Sequence, residues 1–384
     1  MTMPSLLQYF RSIRKYGTYN SRQIPKTHAE YKQLQEQEIK QPDEAKLLRV
    51  AIVGCPNVGK STLLNQLVDW NVSSVSSKVH TTRSNVIGVY VKDNIQLEFI
   101  DTPGLVNRQH IIRHKLNPNF VTELKESLIK ADIITIMADV SNRRERTKLN
   151  RGILDLLREN RDKESLLILN KVDRLQKKQE ILDITHTLTS GIVDGKNIRK
   201  LDDFEYKLEI NNRNFEKLFR KTEKYLKYRD NETNGDIEQI EDNIGWPNFS
   251  QVFMISALHD DGVDDLRSFL LNKAKPQPWL YNADAVTTQK PKNLIIETIR
   301  QICLDLLRQE IPYNLYFQIV MWELDDVGNL FIVVDMFCPS KFQSLIIGPK
   351  GSTISTIVRK SRDVLCDVFR CDISLKIAVK ANKK

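Results

Sequence analysis

Short apolar runs alternate with polar or amphipathic stretches over the first two thirds of the chain. The runs Arg49 to Val53, Asn85 to Val91, Gln96 to Ile100, Ile133 to Ala138, Leu166 to Leu169 and Gln251 to Ile255 have the length and aliphatic character of buried strands. Leu63 to Val68 and Val263 to Lys273 carry apolar residues at helical spacing. This alternation predicts a doubly wound α/β domain over residues 48–275, with a mostly parallel six-stranded sheet. Pro276-Gln277-Pro278-Trp279 then opens an extended stretch, since paired prolines end helices, and residues 276–292 read as a linker. The pattern changes beyond it: helix (Asn293 to Gln309), strand (Leu315 to Trp322), turn, strand (Leu330 to Cys338), short helix (Lys341 to Ile346), turn, long helix (Ser352 to Phe369) and strand (Asp372 to Val379). That order predicts a second, α+β domain over residues 293–384.

The junction of the first strand and first helix carries the chemistry. Gly54-Cys55-Pro56-Asn57-Val58-Gly59-Lys60-Ser61 has the spacing of a phosphate-binding loop. Its glycines let backbone N–H groups turn onto phosphates, Lys60 supplies a point charge, and Ser61 offers a hydroxyl to Mg²⁺. The helix start behind it adds partial positive charge. Asp101-Thr102-Pro103-Gly104 follows an apolar strand, so Asp101 emerges at the strand's carboxyl end, within reach of Mg²⁺, and Gly104 can sense a γ-phosphate. Val79-His80-Thr81-Thr82-Arg83 lacks helical period and reads as a loop in which a threonine can close on the metal.

Asn170-Lys171-Val172-Asp173, after the fifth strand, selects the base. A carboxylate at Asp173 accepts from guanine N1–H and the exocyclic amine together, whereas adenine offers neither. The expected nucleotide is therefore GTP or GDP. Ser256-Ala257-Leu258, after the sixth strand, is placed to put a backbone amide on guanine O6.

Gly348-Pro349-Lys350-Gly351 lies between the last two helices, and a Gly-x-x-Gly turn in that setting identifies a type II KH module, which clamps about four single-stranded nucleotides. Lys350 faces the phosphates, and Arg359, Lys360 and Arg362 extend the basic surface. Pro349 removes one backbone donor from the clamp. A KH fold that contacts protein instead is the alternative.

Charge and composition adjust this picture. The chain of 384 residues has a formal net charge of +9, which suits a polyanionic partner or a basic surface kept for solubility. No run of about 18 apolar residues is present to span a bilayer. The five cysteines form no Cys-x-x-Cys pair and read as reduced and mostly packed. Residues 1–29 contain Arg11, Arg14, Lys15, Arg22 and Lys26 without an acidic residue, the composition of a transit peptide or of a basic arm that touches nucleic acid. Residues 1–47 are read as that leader plus a linker. About Ser190 to Gly245 is a charged insertion, in which Phe215, Leu218, Phe219, Tyr225 and Leu226 recur at helical spacing. It is either an RNA-facing element or a tolerated surface loop.

These motifs in this order, with Pro-x-Pro-Trp and the KH pattern after them, resemble the Era family of ribosome-assembly GTPases, and the N-terminal composition resembles its mitochondrial members. The likeness covers about Leu48 to Lys380. It implies a Mg²⁺-dependent, GTP-hydrolysing RNA chaperone that binds the 3′ region of small-subunit ribosomal RNA and assists assembly of the small mitochondrial subunit. By position, it implies that Gly54, Asn57, Val58, Gly59, Lys60, Ser61 and Thr62 hold phosphates, that Ser61, Thr82 and Asp101 hold Mg²⁺, and that Asn57, Lys60, Thr82 and Gly104 act in hydrolysis. It assigns guanine to Asn170, Lys171, Asp173, Ser256, Ala257 and Leu258, and RNA to Gly348, Pro349, Lys350, Gly351, Arg359 and Lys360. Leu105 stands where signalling GTPases place a water-orienting glutamine, which implies slow intrinsic hydrolysis. The family associates the Asn57 position with K⁺, so K⁺ stimulation is expected. A monomer in the mitochondrial matrix with peripheral association at the inner membrane completes the expectation. Its rival is an RNA-binding structural assembly factor in which GTP is bound but turnover is incidental.

Overall fold

The computed structural model describes residues 22–73, 85–104, 120–198, 244–308 and 310–381. After α1 (His28–Glu36) come β1 (Lys46–Gly54), α2 (Lys60–Val68), β2 (Val86–Lys92), β3 (Ile95–Asp101), α3 (Phe120–Lys130), β4 (Ile133–Asp139), α4 (Arg151–Glu159), β5 (Glu164–Asn170) and α5 (Glu180–Leu188). A two-residue hairpin, β6 (Ile192–Val193) and β7 (Lys196–Asn197), precedes β8 (Phe249–Ile255) and α6 (Val263–Lys273). The main sheet runs β2-β3-β1-β4-β5-β8, parallel throughout except for the antiparallel edge strand β2. Strict alternation along β1 builds two cores: Val50 and Ile52 face α2 and α6, while Ala51 and Val53 face α3 and α4.

The expected six-stranded sheet is corrected to seven strands. The two-residue β9 (Lys275–Pro276) pairs antiparallel with Lys46 and Leu47, at the start of β1, where β4 does not yet reach because its register begins at Val50. A strand this short has no hydrophobic period to read, which is why pattern alone left Lys275 as the end of the first domain and Pro276 as the start of the linker.

Residues 277–290 are packed rather than free. Trp279 is buried and its indole donates to Asn94 O at 3.1 Å, and the Gln96 carboxamide accepts from the amides of Leu280 and Tyr281. Further on, Val89 donates its amide to Val286 O at 2.8 Å and Gly88 bridges Thr287, so this stretch covers the open edge of β2.

The second unit consists of α7 (Pro291–Leu306), β10 (Tyr316–Leu324), β11 (Leu330–Cys338), α8 (Ser340–Ile347), α9 (Ser352–Phe369) and β12 (Ile373–Ala381). Pro291 starts α7 two residues before the expected Asn293, as proline suits a first helical turn. β10 and β11 are antiparallel, and β12 lies parallel to β11 after the α8–turn–α9 crossover. The architecture is thus a P-loop-type α/β unit followed by an α+β unit of KH order. One apolar cluster runs from β1 and α2 through Leu294 and Ile299 of α7 to Leu365 and Phe369 of α9.

The N-terminal stretch also joins this body. Ile24 is 2% exposed within the shared core, and Arg22 donates to Val68 O and Val89 O, both at 3.0 Å. Thr27 caps α1 by accepting from the Glu30 amide. Residues 1–21 and most of the insertion, including Phe215 to Leu226, lie outside the described residues. The five cysteines are free; Cys303 and Cys338 are buried and the other three half-buried. No helix among the described residues is long and apolar enough to cross a membrane.

Candidate functional site

The site gathers at the carboxyl ends of β1, β3, β4, β5 and β8, where open α/β sheets present their loops. Between β1 and α2 the backbone turns through two left-handed residues, Asn57 at φ 65° and Gly59 at φ 105°. Gly59 admits no side chain: a Cβ there would lie 2.5 Å from Asn170 Nδ2. Gly54 is equally confined, since a Cβ there would lie 2.6 Å from Met137 O. Lys60 folds its ammonium back over the loop, donating to Cys55 O at 2.9 Å and Gly54 O at 3.3 Å. Burial pushes this ammonium below its ordinary pKa, and the Asp101 carboxylate opposes that shift.

Asp101, the last residue of β3, is fully buried. Its Oδ2 accepts from Ser61 Oγ at 2.7 Å and Ser73 Oγ at 3.1 Å, while Oδ1 has no hydrogen-bond partner among the described residues. Desolvation raises its pKa, with Lys60 and the two hydroxyls opposing. A buried carboxylate oxygen without a donor, next to a serine hydroxyl at a helix start, is the donor set of a hard divalent cation. The residues therefore fit Mg²⁺: Asp101 and Ser61 would hold it. Gly104 packs on the loop itself, since a Cβ there would lie 2.9 Å from Pro56 N.

The residues expected to read the base are fastened to the same loop. Asn170 donates through Nδ2 to Val58 O at 2.7 Å and accepts at Oδ1 from the Ala257 amide at 2.9 Å, tying the phosphate loop to the turn after β8. Lys171, left-handed at φ 66°, donates to Asn57 O at 2.7 Å and to Asp139 Oδ2 at 2.5 Å. Asp173 accepts from Ser256 Oγ at 2.6 Å, and its other oxygen lies 3.8 Å from His259 Nε2. The Ser256 to Leu258 turn thus fastens Asn170 and Asp173, and Leu258 is exposed. A planar ring bordered by Lys171 and Asp173 would present its donors to the Asp173 carboxylate.

In the second unit, Gly348 at φ 74° and Gly351 at φ 78° bracket Lys350, itself left-handed at φ 51°. Gly348 is obligatory because a Cβ would meet Thr353 Oγ1 at 2.2 Å. Pro349, Lys350, Arg359 and Lys360 are all exposed, with Lys350 in the turn and Arg359 and Lys360 about two helical turns into α9.

A family model described as a 50S ribosome-binding GTPase matches residues 49–171. A relative from Danio rerio, named GTPase Era, mitochondrial, is 36% identical over 352 residues, covering 89% of this chain and 77% of its own length. The chain belongs to the Era family of GTPases. It is accordingly a GTP-hydrolysing enzyme. A Caenorhabditis elegans protein of the same name is 28% identical, with 88% of this chain and 91% of that protein covered. The fold matches a crystal structure of Era in complex with MgGDPNP and nucleotides 1506–1542 of 16S ribosomal RNA, with a TM-score of 0.60 and 24% identity over 88% of this chain and 95% of that one.

The structure brings together Gly54, Asn57 to Ser61, Asp101, Gly104, Asn170, Lys171, Asp173 and Ser256 to Leu258. Thr62 lies in the first turn of α2. Thr82 and Leu105 lie outside the described residues. Three participants were not foreseen. Asp139 fixes Lys171, and its place at the end of an apolar strand, like that of Asp101, was a usable signal. Ser73 bonds Asp101, and Asn65 holds Ser73 by accepting its amide at 2.9 Å. Neither carries any sequence mark.

Proposed function

We propose that this GTPase is a guanine-nucleotide-dependent RNA chaperone of mitochondria that binds the 3′ region of small-subunit ribosomal RNA and assists assembly of the small subunit. The observation that carries the nucleotide half is Oδ1 of buried Asp101, without a hydrogen-bond partner among the described residues and beside Ser61 and Lys60. In this reading Gly54 and Asn57 to Thr62 hold the phosphates, Ser61, Asp101 and Thr82 hold Mg²⁺, and Gly104 reports the γ-phosphate. Bound Mg²⁺ would neutralise charge developing on the transferring phosphoryl group. Lys60, already desolvated over the loop carbonyls, is placed to move its donors onto phosphate oxygens. Asp173 reads guanine, positioned by the Ser256 hydroxyl.

The RNA half rests on the Gly348–Gly351 turn, whose Pro349 and Lys350 are exposed, and in this reading Lys350, Arg359 and Lys360 contact the backbone of a single strand. The RNA-bound state of the similarly folded Era and the mitochondrial names of the relatives support the RNA class and the compartment. Residues 48–275 act as the GTPase unit, 276–292 as a packed connector, and 293–384 as the RNA-binding unit, in a monomer of the matrix that associates peripherally with the inner membrane. K⁺ completes the nucleotide site at Asn57, so single-turnover hydrolysis is faster in KCl than in NaCl at matched ionic strength.

Crosslinking of protein to RNA in its native cells tests the whole reading. A peak near the 3′ end of mitochondrial small-subunit ribosomal RNA, lost in Lys350→Glu, is expected. A diffuse signal unaffected by that substitution would overturn it.

A further inference from the structure

The end of α2 remote from the phosphate loop is where the two units meet. Trp70, just past that end, is buried and donates its indole N–H to Val368 O at 2.8 Å. The guanidinium of Arg370 lies over the same indole, 3.3 Å from the ring centroid. Val368 and Arg370 sit at the close of α9, the helix whose other end is the Gly348–Gly351 turn. A side chain of the nucleotide unit is therefore held between a carbonyl and a cation of the helix that begins at the proposed RNA clamp.

The chain continues from Trp70 directly into the cation site. Asn65 accepts at Oδ1 from the amides of Val72 at 3.0 Å and Ser73 at 2.9 Å, and donates through Nδ2 to Ser73 O at 2.8 Å. Three bonds to one helical side chain make Trp70 to Ser73 a stiff unit. At its far end Ser73 Oγ donates to Asp101 Oδ2, the oxygen that also accepts from Ser61. A change in what Asp101 accepts would therefore make or release the anchor of Ser73, the kind of local switch that coupling between sites requires.

We propose that Trp70 to Ser73 transmits the state of the nucleotide site to α9, with Trp70 and Ser73 as positioning residues that set how the RNA clamp responds to the bound nucleotide. This rests on the RNA-binding reading above. A purely structural interface predicts something different: variants would weaken the fold or the RNA affinity in every nucleotide state alike.

The test uses the full chain and a fluorescein-labelled single-stranded RNA of the 3′ small-subunit ribosomal sequence, with anisotropy read in GDP and in a non-hydrolysable GTP analogue. The two wild-type affinities should differ by about tenfold, within the usual range of site–site coupling. Trp70→Phe, which keeps an aromatic ring and loses the N–H, and Ser73→Ala, which loses only the hydroxyl, should each bring the ratio within about twofold of unity, with melting temperatures close to wild type. RNA binding whose nucleotide dependence survives in both variants, or is absent from the wild type, overturns the coupling and leaves the RNA reading standing. Absence of RNA binding by the wild type in either state overturns the RNA reading and the coupling with it.

Discussion

Residues that contact the nucleotide in the proposed reading are positioned by hydrogen bonds made before any ligand is considered, and Asp173 shows the consequence best. One oxygen of its carboxylate takes the Ser256 hydroxyl and the other lies 3.8 Å from His259 Nε2, and in the proposed reading the remaining acceptor capacity meets guanine's donors. Asp173→Asn keeps an acceptor for Ser256 but turns a donor toward guanine's own donors. Affinity for GDP, measured with a fluorescent analogue, should fall by a factor on the order of 10² to 10⁴, because a site built to pair polar groups is left unpaired. A loss within threefold would remove Asp173 from base recognition. The place of Asp173 just past the carboxyl end of β5 was legible in the chain because the motif follows an apolar strand at a fixed spacing. The ties behind it were not. Asn65 acts through Ser73, and Ser73 through Asp101 on another strand, and a lone polar residue near a helix end looks the same whether or not such a partner exists.

Elements show the same division between local and distant information. β1, the phosphate loop and α2 follow from hydrophobic period and glycine placement, and the six long strands of the main sheet lie within a few residues of where the pattern puts them. The connector and the N-terminal stretch differ, because their structure comes from partners rather than period. Arg22 and Arg267 cap the last carbonyls of α2, at Val68 and at Gln66 and Leu67, and Arg22 sits beside the Trp70 and Tyr90 rings. A basic residue that caps a helix end is compositionally the same as one in a leader. In the connector, Tyr281 donates to buried Glu98 at 2.6 Å. Burial raises the Glu98 pKa and the Tyr281 bond lowers it. A carboxyl group whose folded pKa is raised contributes stability below its ordinary value, about 4.5, and loses that contribution as pH rises through the folded value. Tyr281→Phe removes the donor that stabilises the ionised form, so the folded pKa rises further. Thermal melts should therefore show a deficit of about 1–3 kcal/mol near pH 7 that shrinks toward pH 4. A deficit equal at both pH values would mean that Tyr281 contributes by packing alone.

Across the whole molecule, the two activities use charge in opposite ways, and salt should separate them. The nucleotide site works with buried groups: Lys60 and Asp101 lie beneath the loop, where mobile ions screen weakly. The proposed RNA surface works with exposed ones, Lys350, Arg359 and Lys360, on a chain of formal charge +9. Cations that neutralise single-strand phosphates release condensed counterions, giving a slope of about −0.7 in log affinity against log salt for each contact. If those three residues each neutralise one phosphate, RNA binding should lose affinity with a slope near −2 between about 50 and 200 mM KCl, while GDP affinity changes little over that range. Lys350→Ala should then reduce the slope by about 0.7 and leave GDP affinity unchanged, since Lys350 sits in the turn before α9 and away from the sheet ends that form the nucleotide site. An unaltered slope in that variant would mean that the turn holds RNA through its backbone at Gly348 and Gly351, and that the electrostatic contribution comes from other cations of this basic chain. The distinction matters for mechanism: a backbone clamp responds to any movement of α9 that opens the turn, whereas exposed cations would keep most of their attraction for RNA as the helix shifts.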